Sequence, residues 1–189
     1  MKTFQEPSKY SAIEKEFLDK FIDSNKPANG WVAEFEKQFA ILTGRKFAIA
    51  VNSATGGLHA AMYASNVCEG DEVISPALTV IMDSYVTIFQ NAKPVYADLD
   101  LSTHNIDVAD VKNKITSKTK AIIGVSWQGL PCDVNALMEI SKDKNITIID
   151  DSAQTLFSSP EMNSQQGKAH IAVYSFEEKK HITTGSEGG

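Results

Sequence analysis

Apolar residues between Ser11 and Ser24 recur at helical spacing: Ile13, Phe17 and Phe21 form one stripe, with Leu18 and Ile22 beside it. Ser11 followed three residues on by Glu14 is a capping pair, so the pattern predicts a helix over 11–24. The polar stretch Asn25-Lys26-Pro27-Ala28-Asn29-Gly30 reads as a loop. A second helix follows, with Val32, Phe35, Phe39 and Leu42 on one face and Gly44 as its stop. Phe47 to Val51 is a short apolar run that fits a buried strand. It leads through Asn52-Ser53-Ala54-Thr55-Gly56-Gly57-Leu58-His59 into Ala60-Ala61-Met62-Tyr63-Ala64, a small-residue turn opening a helix.

From there strand and helix patterns alternate. Strands are expected at Glu72–Ser75 (closed by Pro76), Pro94–Ala97, Lys120–Val125, Ile146–Asp150 and His170–Phe176, and helices at Thr79–Gln90, Asp107–Ile115 and Val134–Lys142. This alternation argues for an α/β fold, a doubly wound and mostly parallel sheet with helices on both faces. In such sheets ligands gather beyond the carboxyl ends of the strands. Four chemically promising stretches fall at those ends: Ser53-Ala54-Thr55, Trp127-Gln128-Gly129, Asp150-Asp151, and Ser175 to Lys180.

Composition changes this picture only by exclusion. A length of 189 residues suits one sizeable domain, perhaps with part of another. A hydrophobic fraction of 42% and a charged fraction of 22% are ordinary for a globular protein. The net charge of -6 argues against a nucleic-acid partner. No apolar run is long enough for a membrane span, and residues 1–7 lack a signal-peptide core. Cys68 and Cys132 show no metal-ligand spacing, so no metal is expected; free thiols in a cytoplasmic protein are the simplest account.

Three features carry the candidate chemistry. The turn at 53–56 opens a helix, where free N–H groups and two hydroxyls can cradle a phosphate; an ordinary Ser or Thr cap is the alternative. Asp151 follows a strand that reads as buried, where a carboxylate is costly without a cation or donors. It either caps the next turn or faces a cationic group such as a protonated pyridinium nitrogen. Lys179 and Lys180 follow the last strand. A lysine at a strand exit can form a Schiff base when burial or a nearby cation lowers its pKa. A solvated lysine pair on a turn is the other reading. A phosphate site, an anion and an amine are together what pyridoxal 5'-phosphate (PLP) requires.

The motifs, in this order, resemble those of the fold-type I PLP-dependent aminotransferases of the DegT/StrS group, which act on keto sugars carried on nucleotides. The resemblance covers nearly the whole chain. Gly30-Trp31-Val32-Ala33-Glu34-Phe35-Glu36 resembles G-x-x-V-x-x-F-E, and Asn52 to His59 resembles N-S-G-T-A-A-L-H. Pro94 to Asp100, with Asn105-Ile106-Asp107, resembles P-V-F-x-D-I-D…N-I-D, and Gln128 to Asp133 resembles the G-x-P-A-D turn. Asp151-Ser152-Ala153-Gln154 resembles D-A-A-Q. Ser175-Phe176 with Lys180 resembles S-F-x-x-x-K, and Glu187-Gly188-Gly189 the closing E-G-G.

The resemblance implies roles. Lys180 would hold the cofactor through its amine and shuttle a proton, Lys179 being the neighbouring register. Asp151 would pair with the pyridinium nitrogen, and Gln154 would lie near the ring hydroxyl. Ala54, Thr55 and Gly56 would form the phosphate turn, Ser175 adding a hydroxyl. Val80, after Pro76-Ala77-Leu78-Thr79, stands where the family often stacks an aromatic or bulky residue on the ring, so aliphatic packing would substitute.

The implied reaction moves an amino group from an amino acid, glutamate or glutamine, to a nucleotide-linked keto sugar, in a homodimer whose partner completes each phosphate site. The family's small C-terminal domain would be missing. Residues 1–30 would form an N-terminal helix and loop, and 31–189 a PLP-binding large domain incomplete at its C-terminus, so the chain would be a fragment and no active monomer. The sequence departs from the pattern at Ala54, in place of a glycine, and in a loop one residue longer near Ser186. Two other readings stay open. One is a dehydratase of the same family, which carries histidine in place of the lysine, His181 being one position away. The other is a non-catalytic truncated remnant.

Overall fold

A computed structural model describes residues 11–156 and 168–189. Helices α1 (Ala12–Asp23), α2 (Ala28–Thr43) and α3 (Ala54–Ala64) come first. The alternating region follows as β1 (Glu72–Pro76), α4 (Met82–Phe89), β2 (Lys93–Ala97), α5 (Val108–Lys114), β3 (Thr119–Val125), α6 (Val134–Ser141), β4 (Thr147–Asp151) and β5 (Ile171–Val173). The strands form one sheet in the order β2-β1-β3-β4-β5, and every pairing is parallel. All five carboxyl ends therefore lie on one edge of the sheet.

The strand period of two sorts the core into two layers. Val73, Ala121, Ile123, Val125, Ile149 and Val173 face Leu58, Met62 and Val86 of α3 and α4. Ile74, Ile122 and Ile148, offset by one, face Val111 of α5 and Val134, Leu137 and Ile140 of α6. A sheet covered on both sides needs apolar residues at nearly every position, which is why β3 and β4 read as continuous runs rather than alternating ones. A third cluster joins the end of β5 to α2. Phe39 meets Tyr174 and Phe176 edge-on at 5.1 and 5.4 Å, and Phe35 meets Phe176 at 5.5 Å.

Four expectations are corrected. Phe47 to Val51 is no strand: Phe47 is 74% and Ile49 79% exposed. Its ladder contact is confined to Val51, which exchanges both backbone bonds with Gly189 (2.9 and 3.1 Å), while Ala50 N–H goes to the Glu36 carboxylate at 2.8 Å. An apolar run becomes a buried strand only with a neighbouring ladder and cover. Helix α2 begins at Ala28, inside the expected loop, because Pro27 is extended and the Gly30 N–H closes the first turn on its carbonyl at 2.9 Å. Helix α4 starts at Met82 rather than Thr79, leaving the β-branched Thr79, Val80 and Ile81 outside it. Strand β5 ends at Val173, since the chain beyond it turns its aromatic residues into α2.

The capping box of α1 forms as expected, with Ser11 and Glu14 satisfying each other's backbone. Its amphipathic stripe is not covered, however: no residue of α1 is buried, and Phe21 touches only the edge of Trp31 among the aromatic rings described.

Gly124 is a point where packing dictates the residue. A Cβ there would lie 2.8 Å from Leu137 Cδ1 and 2.9 Å from Cys132 Sγ, so the glycine lets α6 close onto β3. Gly124→Ala is expected to cost about 1–3 kcal/mol by overpacking. The measurement is the urea midpoint at unchanged m-value; an unaltered midpoint would show that α6 has room to move.

Candidate functional site

The candidate site is assembled along the carboxyl edge of the sheet. Winding reverses between β1 and β3, so the crevice expected of such sheets opens there. It is flanked on one side by the turn from β1 into α4 and on the other by the ends of β4 and β5.

Helix α3 brings its N-terminus to β5. Gly57 makes this possible, since a Cβ there would lie 3.0 Å from Val173 Cγ1. Ser53 is an ordinary N-cap, its Oγ accepting the Gly56 N–H at 3.1 Å. That leaves Ala54 and Thr55, at the first two helical positions, with N–H groups that have no carbonyl within the helix to reach. The cap and the anion cradle are thus compatible, served by different N–H groups. The closing glycines lie directly behind this turn. A Cβ on Gly189 would sit 2.7 Å from both Ala54 N and Ser53 C. Gly188 has φ +153°, and its carbonyl accepts the Phe176 N–H at 2.8 Å.

The chain after β5 folds back on itself through Lys180 N–H to Glu177 (2.9 Å) and Thr184 N–H to Phe176 (3.1 Å). Within this loop Lys179 and His181 are exposed, while Lys180 is half-buried. Burial raises the Asp151 pKa, and the Ala153 N–H and the Lys180 charge oppose that rise without reversing it. Asp151 is the last residue of β4 and is buried. Its Oδ1 accepts the Ala153 N–H at 3.0 Å, so it also caps the turn that follows. The preceding Asp150 is buried too, its pKa pushed up to about 6 by burial first, with the Arg45 charge among the opposing effects.

Gln154 points away from a free role: its Oε1 accepts the Gln128 N–H at 2.9 Å. Gln128 has φ +50°, a left-handed conformation that costs a non-glycine residue about 1 kcal/mol. Asn105 stabilises the same loop. Its Oδ1 accepts from Trp127 N–H at 2.9 Å, and its Nδ2 donates to Leu130 and Pro131 carbonyls at 3.2 and 2.9 Å. Val80 is 48% exposed in the turn before α4. Ser175 is half-buried, its Oγ accepting from Glu177 N–H at 3.4 Å.

The structure therefore gathers Asp151, Lys180 and the α3 turn around the ends of β4 and β5. It also adds a residue that sequence reasoning missed. Asp83, in the first turn of α4, is 1% exposed. Its carboxylate is bonded by the Thr79 hydroxyl, and its pKa is pushed up to about 7 by burial and by the Asp151 charge. The available signal was a lone charge in the otherwise uncharged stretch from Leu78 to Phe89.

A family model, that of the DegT/DnrJ/EryC1/StrS aminotransferase family, matches residues 11–189. The chain belongs to this family. GDP-perosamine synthase of Escherichia coli O157:H7 is 36% identical over 178 residues, covering 93% of this chain and 49% of that protein. An aminotransferase from Psychrobacter cryohalolentis superposes with a TM-score of 0.84 at 31% identity, covering 97% of this chain and 47% of that one. Spr1654 of Streptococcus pneumoniae, in its PLP form, gives a TM-score of 0.81 at 28% identity, over 96% of this chain and 50% of that one. The DegT/DnrJ/EryC1/StrS family is PLP-dependent, and this chain spans about half the length of the relatives it matches. The described residues contain no helix long and apolar enough to cross a membrane and no group of three or more acidic, His or Cys residues placed for a metal. Cys68 is exposed and Cys132 buried, both unpaired.

Within this family framework, Asp83 has a measurable consequence. Its folded pKa of about 7 lies above the ordinary carboxylate value of 3.8. Between those values the folded chain holds a proton that the unfolded chain has lost, so stability falls as pH rises through that window and is lowest above it. The loss is expected to be a few kcal/mol by order of magnitude. Thermal melts from pH 4 to 8 should show this decline, and Asp83→Asn should make it shallower, with the buried Asp150 and Asp151 supplying the remainder; equal slopes in both proteins would contradict the assignment.

Proposed function

We propose that this chain is the cofactor-holding part of a PLP-dependent aminotransferase that moves an amino group from an amino acid, glutamate or glutamine, to a nucleotide-linked keto sugar. The observation that supports it best is that the buried Asp151, the half-buried Lys180 and the first turn of α3 all lie at the ends of β4 and β5. The residues present suit the cofactor's three polar groups: an amine, a buried anion, and a helix N-terminus whose first N–H groups are free for a phosphate. Bound PLP supplies an electrophilic carbon and an electron sink for the substrate's electrons.

The residue roles are those that the family resemblance implies. Lys180 would attach the cofactor through its amine and serve as the group that holds and moves a proton. Asp151 holds the ring nitrogen in its cationic form; burial makes the interaction stronger than it would be in water. Ala54 and Thr55 present N–H groups to the phosphate, Gly56 keeps that turn narrow, and Ser175 adds a hydroxyl. Val80 would cover the ring with an aliphatic side chain. Gln154, bonded to the Gln128 N–H, would lie near the ring hydroxyl. A second copy of the chain completes the assembly as a homodimer, giving the exposed stripe of α1 an apolar surface to pack on.

The test is the absorbance spectrum of the chain mixed with PLP. A visible band that survives Lys179→Ala and is lost in Lys180→Ala, and that glutamate discharges in the unaltered protein, is the expected result. A band that needs Lys179 and ignores Lys180, or none at all, would overturn the reading.

A further inference from the structure

Strand β5 begins where its ladder to β4 changes hands. The Val173 carbonyl accepts the Ser152 N–H at 2.9 Å, and the register pairs Ile149 with Ile171 and Asp151 with Val173. Continued toward the amino ends, the evenly spaced bonds of a parallel pair would give the Ile148 N–H to the Ala169 carbonyl. That carbonyl is bonded by the Arg45 guanidinium. The Ile148 N–H goes instead to the imidazole of His170, at 2.9 Å from Nδ1. Ile148 is fully buried, so this N–H has no water to turn to if the imidazole is lost.

A ring nitrogen accepts a hydrogen bond only while the imidazole is neutral; imidazolium carries a proton on both nitrogens and can only donate. His170 is exposed, so protons reach it from solvent. The charged groups around it are few. Glu36, Arg45 and Lys46, from α2 and the turn after it, line the same cleft. Arg45 also reaches the His170 carbonyl at 3.4 Å. The Glu36 carboxylate is engaged by the Ala50 N–H at 2.8 Å, and the Lys46 amine lies over the Phe47 ring at 5.2 Å. Lys168, two residues earlier in the chain, is exposed. On β4, the acid two residues on from Ile148 and on the same face is the buried Asp150. Among the described residues no acid forms an ion pair with His170 that would favour its cation.

We propose that His170 is a pH-sensitive clasp, its neutral imidazole standing in for a ladder carbonyl and pinning the start of β5 to β4, and its protonation releasing that end of the strand. A proton arriving on Nδ1 takes up the lone pair that the Ile148 N–H uses. Two N–H groups then face each other, and a buried backbone donor is left unsatisfied. Strand β5 leads directly through Tyr174, Ser175 and Phe176 into the loop that carries Lys180, so the clasp governs how firmly that loop is anchored to the sheet. It stands on the backbone geometry and holds whether or not the chain takes up a cofactor.

The experiment is nitrogen-15 NMR of the full chain, read two ways as pH is lowered through the range in which imidazole titrates. The first readout is the scalar coupling across the N–H···N bond between the Ile148 amide and His170 Nδ1. It should be present while the ring is neutral and vanish as the ring is protonated. The second is hydrogen exchange of the Ile148 amide, taken as a ratio to Ile122, a buried amide of β3, which cancels the intrinsic pH dependence of exchange. That ratio should rise about tenfold in acid, the worth of one backbone hydrogen bond. His170→Asn offers a side-chain oxygen in place of Nδ1 that does not titrate, so it should keep Ile148 protected and flatten the ratio with pH. His170→Leu should leave Ile148 exchanging fast at every pH; if that variant fails to fold, the unaltered chain and His170→Asn decide the matter. A neutral His170 with no coupling to Ile148 would overturn the clasp. So would an Ile148-to-Ile122 ratio that stays constant through the titration, or an acid loosening that persists in His170→Asn.

Discussion

Asp151 carries its carboxylate at the end of a central strand, where the surrounding side chains are apolar and water is excluded. Burial alone drives such a group toward the neutral form, and what lowers its energy is a short list: one backbone N–H from Ala153 and the charge of Lys180. Both depend on the chain beyond the strand. The Ala153 N–H requires a tight turn directly after β4, and Lys180 requires the loop after β5 to fold back toward the sheet. That loop in turn is fixed by bonds from Phe176 to Thr184 and Gly188 and by the pairing of Gly189 with Val51. A parallel sheet makes this economy possible, because it delivers the ends of β4 and β5 to the same edge without any further device.

Glycine and asparagine fix the remaining geometry. Gly57 lets α3 approach β5, and Gly189 lets the chain pass within van der Waals distance of the α3 N-terminus. The E-G-G motif therefore has a steric explanation here, independent of any ligand. Asn105 satisfies a donor and two acceptors of the loop after β3, and Gln154 takes a fourth backbone group from the strained Gln128. These two amides turn an irregular stretch into a rigid wall of the crevice.

The parts of the structure that local chemistry controls were legible in the sequence. The helix caps at Ser11 and Ser53 and the αL stop at Gly44 are local events, as is the period that distinguishes β1 to β4 from the helices between them. The misread parts depend on distant partners. Phe47 to Val51 has the composition of a strand but lacks a ladder. The stripe of α1 has the pattern of a packed helix but lies uncovered, because periodicity records that an apolar face exists and not what meets it. Asp83 escaped notice because its burial comes from the packing of α4 onto the sheet, which the local pattern does not record. The motif order, by contrast, sufficed to recognise the family, since motifs encode turns and strand ends that are local even when their purpose is not.

The central claim is that the loop after β5 distinguishes the adjacent lysines, leaving Lys180 half-buried beside the strand ends while Lys179 stays in solvent. Borohydride reduction of the PLP-treated chain, followed by peptide mapping, tests this at the level of a single residue. The account predicts the reduced cofactor on Lys180, with Lys179 unmodified. Label on Lys179 in place of Lys180 would contradict it.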